Sequence, residues 1–219
     1  MLQKYYSFAI KASPTVIIYG INYSFWYTVV MREIEVKARV SNIKILIDTA
    51  SKMGIYFGKT IIQEDTIFEP DIPKEDPNWN IFRIRKQEEK IILTMKYKAS
   101  KSSNDNYELE TIIDNPKTVR QMLNRLGYPS CLNIRKKRRI AKYNNLEICL
   151  DEVYKLGNFI EIEMLCKNEV NVADVQLQLW DVLLKLGIKP NDRVYKGYDT
   201  LMHEYLSSKY ICENNCSLT

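Results

Sequence analysis

From Met31 onward the sequence alternates between charged and apolar residues, and this alternation narrows what the chain can fold into. Glu33, Glu35, Lys37 and Arg39 hold the odd positions, and Ile34, Val36, Ala38 and Val40 the even ones. A period of two is the geometry of a β-strand with one apolar and one polar face. A single run of this kind is satisfied by an antiparallel strand whose charged side meets water. Here the pattern recurs. Arg83 and Arg85 alternate with Phe82 and Ile84, and Thr94, Lys96 and Lys98 alternate with Leu93, Met95 and Tyr97. Glu108 and Glu110 alternate with Tyr107 and Leu109, and Glu161 and Glu163 with Ile160, Ile162 and Met164. Like charges on one strand face repel, so a solvated sheet gains nothing from such sorting. A closed barrel or tunnel with its charge pointing inward accounts for it. Acidic strands would then hold divalent cations, and basic strands an anionic ligand.

Between the strands, residues 41–54, 116–127 and 172–187 repeat apolar residues at helical spacing, and each run ends in glycine. That pattern predicts three amphipathic helices with glycine just past the last turn, and Ser41, Asn115 and Asn171 are the expected N-caps. A short helix near 198–207 and a polar tail follow. Asp71 to Pro77, rich in proline and acid, is expected to be an exposed loop.

Composition excludes several functions. The net charge of +5 is mild, and its one dense cluster, Arg135 to Arg139, is split by strand alternation. Lys136 and Arg138 would face one way, and Arg135, Lys137 and Arg139 the other. No nucleic-acid partner is therefore expected. Five scattered cysteines without a CxxC pair, and one histidine, His203, argue against a Cys/His zinc site. They suggest idle thiols in a reducing, cytoplasmic setting. His203 is expected to be a surface or packing residue, and Cys212 and Cys216 to belong to the tail. The aromatic-apolar run from Thr15 to Val30 is 16 residues long, short of the about 20 a membrane helix needs, and has no signal-peptide cleavage pattern. No membrane association is expected. Residues 1–30 are expected to lie outside the fold, with translation starting at Met31. The fold would occupy residues 31–210, and 211–219 would form the polar tail.

At this point the residues resemble a known family. The segment EIEVK, with Glu33, Glu35 and Lys37, is similar to the ExExK motif that opens the CYTH superfamily, the triphosphate tunnel metalloenzymes. The similarity continues in order: FRIR with Arg83 and Arg85, LTMK ending at Lys96, the Lys136/Arg138 strand, and the closing block CLDEVYKLGNFIEIE from Cys149 to Glu163. An isolated ExExK is weak, but the ordered set is specific. The opening and closing blocks most resemble the class IV adenylyl cyclase branch. Thiamine triphosphatases and inorganic tripolyphosphatases share the same motifs.

The resemblance implies an α+β fold, an eight-stranded antiparallel β-barrel tunnel with flanking helices. It implies a triphosphate substrate such as ATP, thiamine triphosphate or tripolyphosphate, with Mg²⁺ or Mn²⁺ as cofactor and a homodimer as the expected assembly. Lys37, Arg83, Arg85, Lys96, Lys136 and Arg138 would bind the triphosphate. Glu33, Glu35, Glu161 and Glu163 would be metal ligands, with Asp151 a ligand or a residue behind one. Catalytic roles fall to Lys37, Arg138 and Asp151. Glu108, Glu110 and Lys98 fit either the tunnel wall or the solvent face. Attack of the ribose 3′-hydroxyl on the α-phosphate would give cyclic AMP and pyrophosphate, and attack of water on the γ-phosphate would give orthophosphate. A sensor that binds nucleotide or polyphosphate without turnover is a third possibility. No single residue decides among these.

Overall fold

The computed structural model describes residues 16–18, 21–23, 31–73, 79–98, 105–166 and 170–216, which fall into two units divided after Val30. In the first unit, β1 (Val16–Ile18) pairs antiparallel with β2 (Ile21–Tyr23). Everything else belongs to the second. Its alternating segment is β3 (Met31–Arg39), whose even-numbered side chains Ile34, Val36 and Ala38 are at most 1% exposed.

The remaining strands are β4 (Ile61–Phe68), β5 (Ile81–Gln87), β6 (Lys90–Lys98), β7 (Asp105–Ile112), β8 (Ser130–Tyr143), β9 (Leu146–Val153) and β10 (Gly157–Cys166). They pair antiparallel in the order β10, β9, β8, β4, β5, β6, β7, β3, and β3 also pairs with β10. The ring is therefore a closed barrel of eight strands, as the charge sorting implied. Closure leaves no exposed edge for the charged faces to share with water. A two-residue strand, β11 (Arg193–Val194), lies beside Ala38 and Lys37, beyond the point where β7 stops pairing with β3.

The outer faces of β3, β9 and β10 form the main core. Helix α1 (Ile43–Lys52) contributes Leu46 and Ala50, and α3 (Val172–Lys185) contributes Val175, Leu179 and Leu183 along one stripe. Burying each of these leucines favours folding by about 1.5–3 kcal/mol. A smaller cluster of Phe68, Ile84 and Leu123 holds α2 (Pro116–Arg125) against the opposite wall. Helix starts follow the sequence with one correction. Asn115 and Asn171 cap as expected, but Asn42 rather than Ser41 caps α1, because the extended backbone at residue 42 brings its amide oxygen 3.1 Å from the Ile45 N–H.

The inward faces are not uniform along the barrel. At one end Ile67, Leu132, Ile134, Val153 and Phe159 pack with Tyr198 and Met202 of α4 (Tyr198–Cys216). This apolar plug closes the end that α4 crosses. Helix α4 continues to Cys216, well past the short helix near 198–207 and into the stretch expected to be a polar tail, and residues 217–219 lie outside the described part. The Asp71–Pro77 loop is described only to residue 73. Among the described residues, no helix is long and apolar enough to cross a membrane.

Candidate active site

Just inside the plug the wall becomes ionic. Odd residues of β3, β9 and β10 and even residues of β8 share the interior, and antiparallel register sets opposite charges side by side: Lys37 opposite Glu161, and Arg138 opposite Asp151. The ammonium of Lys37 lies 3.0 Å from Glu161 and 3.4 Å from Glu35. Arg138 donates to both Asp151 oxygens, at 2.7 and 2.5 Å, and also bonds Glu161. Lys136 reaches Asp151 at 3.4 Å.

Tyr198 projects from the first turn of α4 into this layer. Its hydroxyl donates to Asp151 at 3.0 Å, while the ammonium groups of Lys37 and Lys136 lie 4.3 and 4.9 Å from its ring centroid. Asp151 is completely buried, and it keeps its charge because these donors surround it. Burial alone would raise its pKa, but Lys136 and Arg138 hold it below the usual carboxylate range. Lys136 shifts the other way. Burial first, then the neighbouring Arg138, push it down to about 8, against the pull of Asp151.

A second group of charges lines the opposite wall. Arg85 grips Asp65 with two bonds of 2.7 and 2.8 Å. Arg83 meets Glu110 at 3.1 Å, Glu108 at 3.5 Å and the Thr94 hydroxyl at 3.1 Å, and Lys96 lies 2.7 Å from Glu108. Glu108 therefore faces the chamber. Glu110 stands at its rim with half its side chain exposed, and Lys98 is exposed, its ammonium 6.0 Å from the Trp79 ring centroid.

Farther from the plug the carboxylates crowd. Glu163 of β10 sits directly opposite Glu35 of β3 on one side and Glu147 of β9 on the other. Carboxylate oxygens of Glu33, Glu35 and Glu163 all lie within 4.8 Å of one another. Burial, then Glu33 and Glu147, push Glu163 up to about 9. Burial also raises Glu33 to about 7, with Glu108 and Glu35 adding and Lys96 opposing. These carboxyls are short of positive charge. A hard oxygen donor set of this kind fits a divalent ion such as Mg²⁺ or Mn²⁺. The other two acids expected at the metal, Glu161 and Asp151, lie one layer deeper and bond basic side chains.

The sequence did not point to Asp65, Tyr198 or Glu147. In β4, Gln63 and Asp65 share the interior face with Ile67 while Glu64 and Thr66 stand outward, so polarity alternates with polarity and leaves no pattern. Tyr198 opens a helix and belongs to no strand. The split of the basic cluster holds: Lys136 and Arg138 are buried, whereas Arg135 and Lys137 are exposed and Arg139 pairs with Glu152.

This arrangement has known relatives. The chain is 30% identical over 173 residues to a protein of Methanocaldococcus jannaschii whose adenylate cyclase name is provisional, covering 77% of this chain and 97% of that one. It is 29% identical over 103 residues to the adenylate cyclase CyaB of Aeromonas hydrophila, covering 47% of this chain and 53% of CyaB. The solved structure of the PH1012 protein from Pyrococcus horikoshii superimposes with a TM-score of 0.65 at 32% identity, covering 76% of this chain and 96% of that one. Residues 31–198, the segment that builds the barrel and reaches Tyr198 at its floor, match the CYTH domain, and the chain belongs to that family.

Proposed function

We propose that the barrel interior processes a nucleoside triphosphate with a divalent cation, and that the reaction is class IV-type adenylyl cyclisation of ATP to cyclic AMP and pyrophosphate. The observation that carries this reading is the row of carboxylates Glu35, Glu163 and Glu147 across three neighbouring strands, beside a wall of buried cations. Like charges placed directly opposite destabilise a sheet unless a cation lies between them. Glu33, Glu35 and Glu163 would hold Mg²⁺ or Mn²⁺. Bound there, the ion would neutralise phosphate oxygens and favour in-line displacement.

The chain's own residues supply the rest. Arg83, Arg85 and Arg138 offer forked donors to phosphate oxygens, and Lys37, Lys96 and Lys136 offer compact charges. A triphosphate entering the chamber would take over donors that now bond Glu161, Asp65 and Glu108. Asp151 and Tyr198 position Arg138 and Lys136 rather than touch the substrate. In the cyclisation, the ribose 3′-oxygen forms a bond to the α-phosphorus as the bond to the bridging α–β oxygen breaks. The hydroxyl proton goes to solvent, and pyrophosphate leaves into the cationic wall. The cyclase names of the two relatives favour this reaction over hydrolysis. A cytoplasmic location fits ATP as substrate.

The test is phosphorus NMR of the full chain incubated with Mn²⁺ and, separately, ATP, thiamine triphosphate and tripolyphosphate, with Glu161→Gln as control. Cyclic AMP and pyrophosphate from ATP are expected. Orthophosphate without cyclic AMP would establish a triphosphatase, and binding without turnover a sensor.

A further inference from the structure

A second constellation of metal-binding donors lies at the plugged end of the barrel, away from the tunnel carboxylates. Glu69 follows the last residue of β4, Cys131 is the second residue of β8, and His203 lies in the second turn of α4. One ligand atom from each falls within 4.8 Å of the other two. Cys131 stands eleven residues along β8 from Lys142, which pairs with the tunnel-mouth Glu147. That distance is about 35 Å of extended strand.

Three observations make this group more than a chance of packing. The His203 imidazole approaches Glu69 Oε2 at 3.5 Å, too far for a hydrogen bond, and its Nε2 is buried and accepts or donates none. A buried imidazole nitrogen without a partner is costly unless a ligand takes it up. The backbone N–H of Glu69 bonds the carbonyl of Pro129 at 3.3 Å, which fixes Glu69 beside the start of β8. Cys131 is solvent-exposed, so an ion has a route in. The donors come from three separate elements at sequence positions 69, 131 and 203. No spacing motif marks them, and the expectation of no Cys/His zinc site rested on the lack of a CxxC pair and on the single histidine.

We propose that Glu69, Cys131 and His203 form a metal site for a borderline divalent ion such as Zn²⁺, clamping α4 across the closed end of the barrel. Imidazole, thiolate and carboxylate together select zinc-like ions over Mg²⁺, which prefers oxygen alone. A tetrahedral ion with bonds of about 2.0–2.3 Å needs ligand atoms about 3.3–3.8 Å apart, so the three side chains close by about 1 Å. The Cys131 thiol loses its proton to solvent as the sulfur–metal bond forms, and a water completes the fourth position. Because α4 also carries Tyr198, the clamp steadies the floor of the ionic chamber.

The experiment titrates the purified full chain with Co²⁺ as a spectroscopic stand-in for Zn²⁺. A near-ultraviolet thiolate-to-cobalt band, saturating at one ion per chain, is expected. Cys131→Ser should abolish the band, and His203→Gln and Glu69→Gln should each weaken binding tenfold or more. Cys149→Ser and Glu163→Gln, which alter the tunnel carboxylate cluster, should leave the band intact. Zn²⁺ should also slow amide exchange in residues 198–206 of the wild type and not of Cys131→Ser. The absence of a thiolate band, a band that survives Cys131→Ser, or one indifferent to both His203→Gln and Glu69→Gln would overturn the proposal. Circular dichroism of each variant separates lost binding from lost fold.

Discussion

The hydroxyl of Tyr198 donates to the buried carboxylate of Asp151 at 3.0 Å, joining the helix that closes the barrel to the acid that holds Arg138 in place. One side chain therefore ties the plug to the ionic layer above it. Its ring also lies under two ammonium groups, so it adds both a hydrogen bond and a cation–π surface to the buried ionic layer.

Tyr198→Phe keeps the ring and removes only the hydroxyl. The loss of one donor to a charged acceptor predicts about 1.5–3 kcal/mol lower stability in urea unfolding. Turnover should fall through kcat more than KM, since Arg138 remains present but less firmly placed. Tyr198→Ala, which also empties part of the plug, should cost about 3–5 kcal/mol. Equal stability in the two variants would show that the ring contributes no packing.

A divalent cation should stabilise the fold. At a hundred times its dissociation constant, Mn²⁺ adds about 2.7 kcal/mol by mass action, visible as a higher Tm. Glu163→Gln should lose most of that gain. Without metal it should match the wild type at neutral pH, because Glu163, with its pKa raised to about 9, is already protonated there. A full Mn²⁺ shift in Glu163→Gln would exclude that residue as a ligand.

Binding of tripolyphosphate should draw in a proton above pH 8. Lys136 titrates at about 8 in the empty chamber because of burial and then Arg138, and a polyanion beside it restores the charged form. Affinity should thus decline as pH rises through 8 and beyond, by up to tenfold per unit. Calorimetry at pH 8.5 in two buffers of different ionisation enthalpy reads the uptake directly, and Lys136→Gln should abolish it.

Asp65 contributes to acid resistance. Burial would raise its pKa, but the two bonds from Arg85, with the charges of Arg83 and Lys136, hold it down at about 2 against 3.8 unperturbed. A lowered folded-state pKa stabilises above the unfolded value, so this contribution is complete above about pH 4 and fades as pH falls toward 2. Asp65→Asn leaves the Arg85 charge buried without its partner, which predicts a loss of about 3–5 kcal/mol at pH 7 that shrinks toward pH 2. Urea unfolding of both proteins across that range checks the sign.

The parts of this site that could be read in the sequence are those where neighbouring positions repeat a rule. In β3, β5 and β10 the inward residues are charged and the outward ones apolar, so period two exposed both faces together. The closed ring followed, because no open sheet rewards that sorting. Asp65 was hidden because both faces of β4 carry polar residues, the outward ones lying beside α2, where Arg120 bonds Thr66. Tyr198 was hidden because its importance comes from a helix crossing the barrel end, a contact between positions 47 residues apart. The extent of α4 escaped as well, because its second half has no apolar stripe to mark a helix. Metal ligands and charge anchors looked alike in the sequence. Only the register placed Glu163 opposite Glu35 and Glu161 opposite Lys37.

An anomalous difference map from crystals soaked in Mn²⁺ and tripolyphosphate would locate both the ion and the phosphates in the barrel. A manganese peak is expected among Glu33, Glu35 and Glu163, with phosphate density reaching Lys37, Lys136 and Arg138. Manganese and phosphate bound elsewhere, with the barrel interior unchanged, would contradict the proposed function.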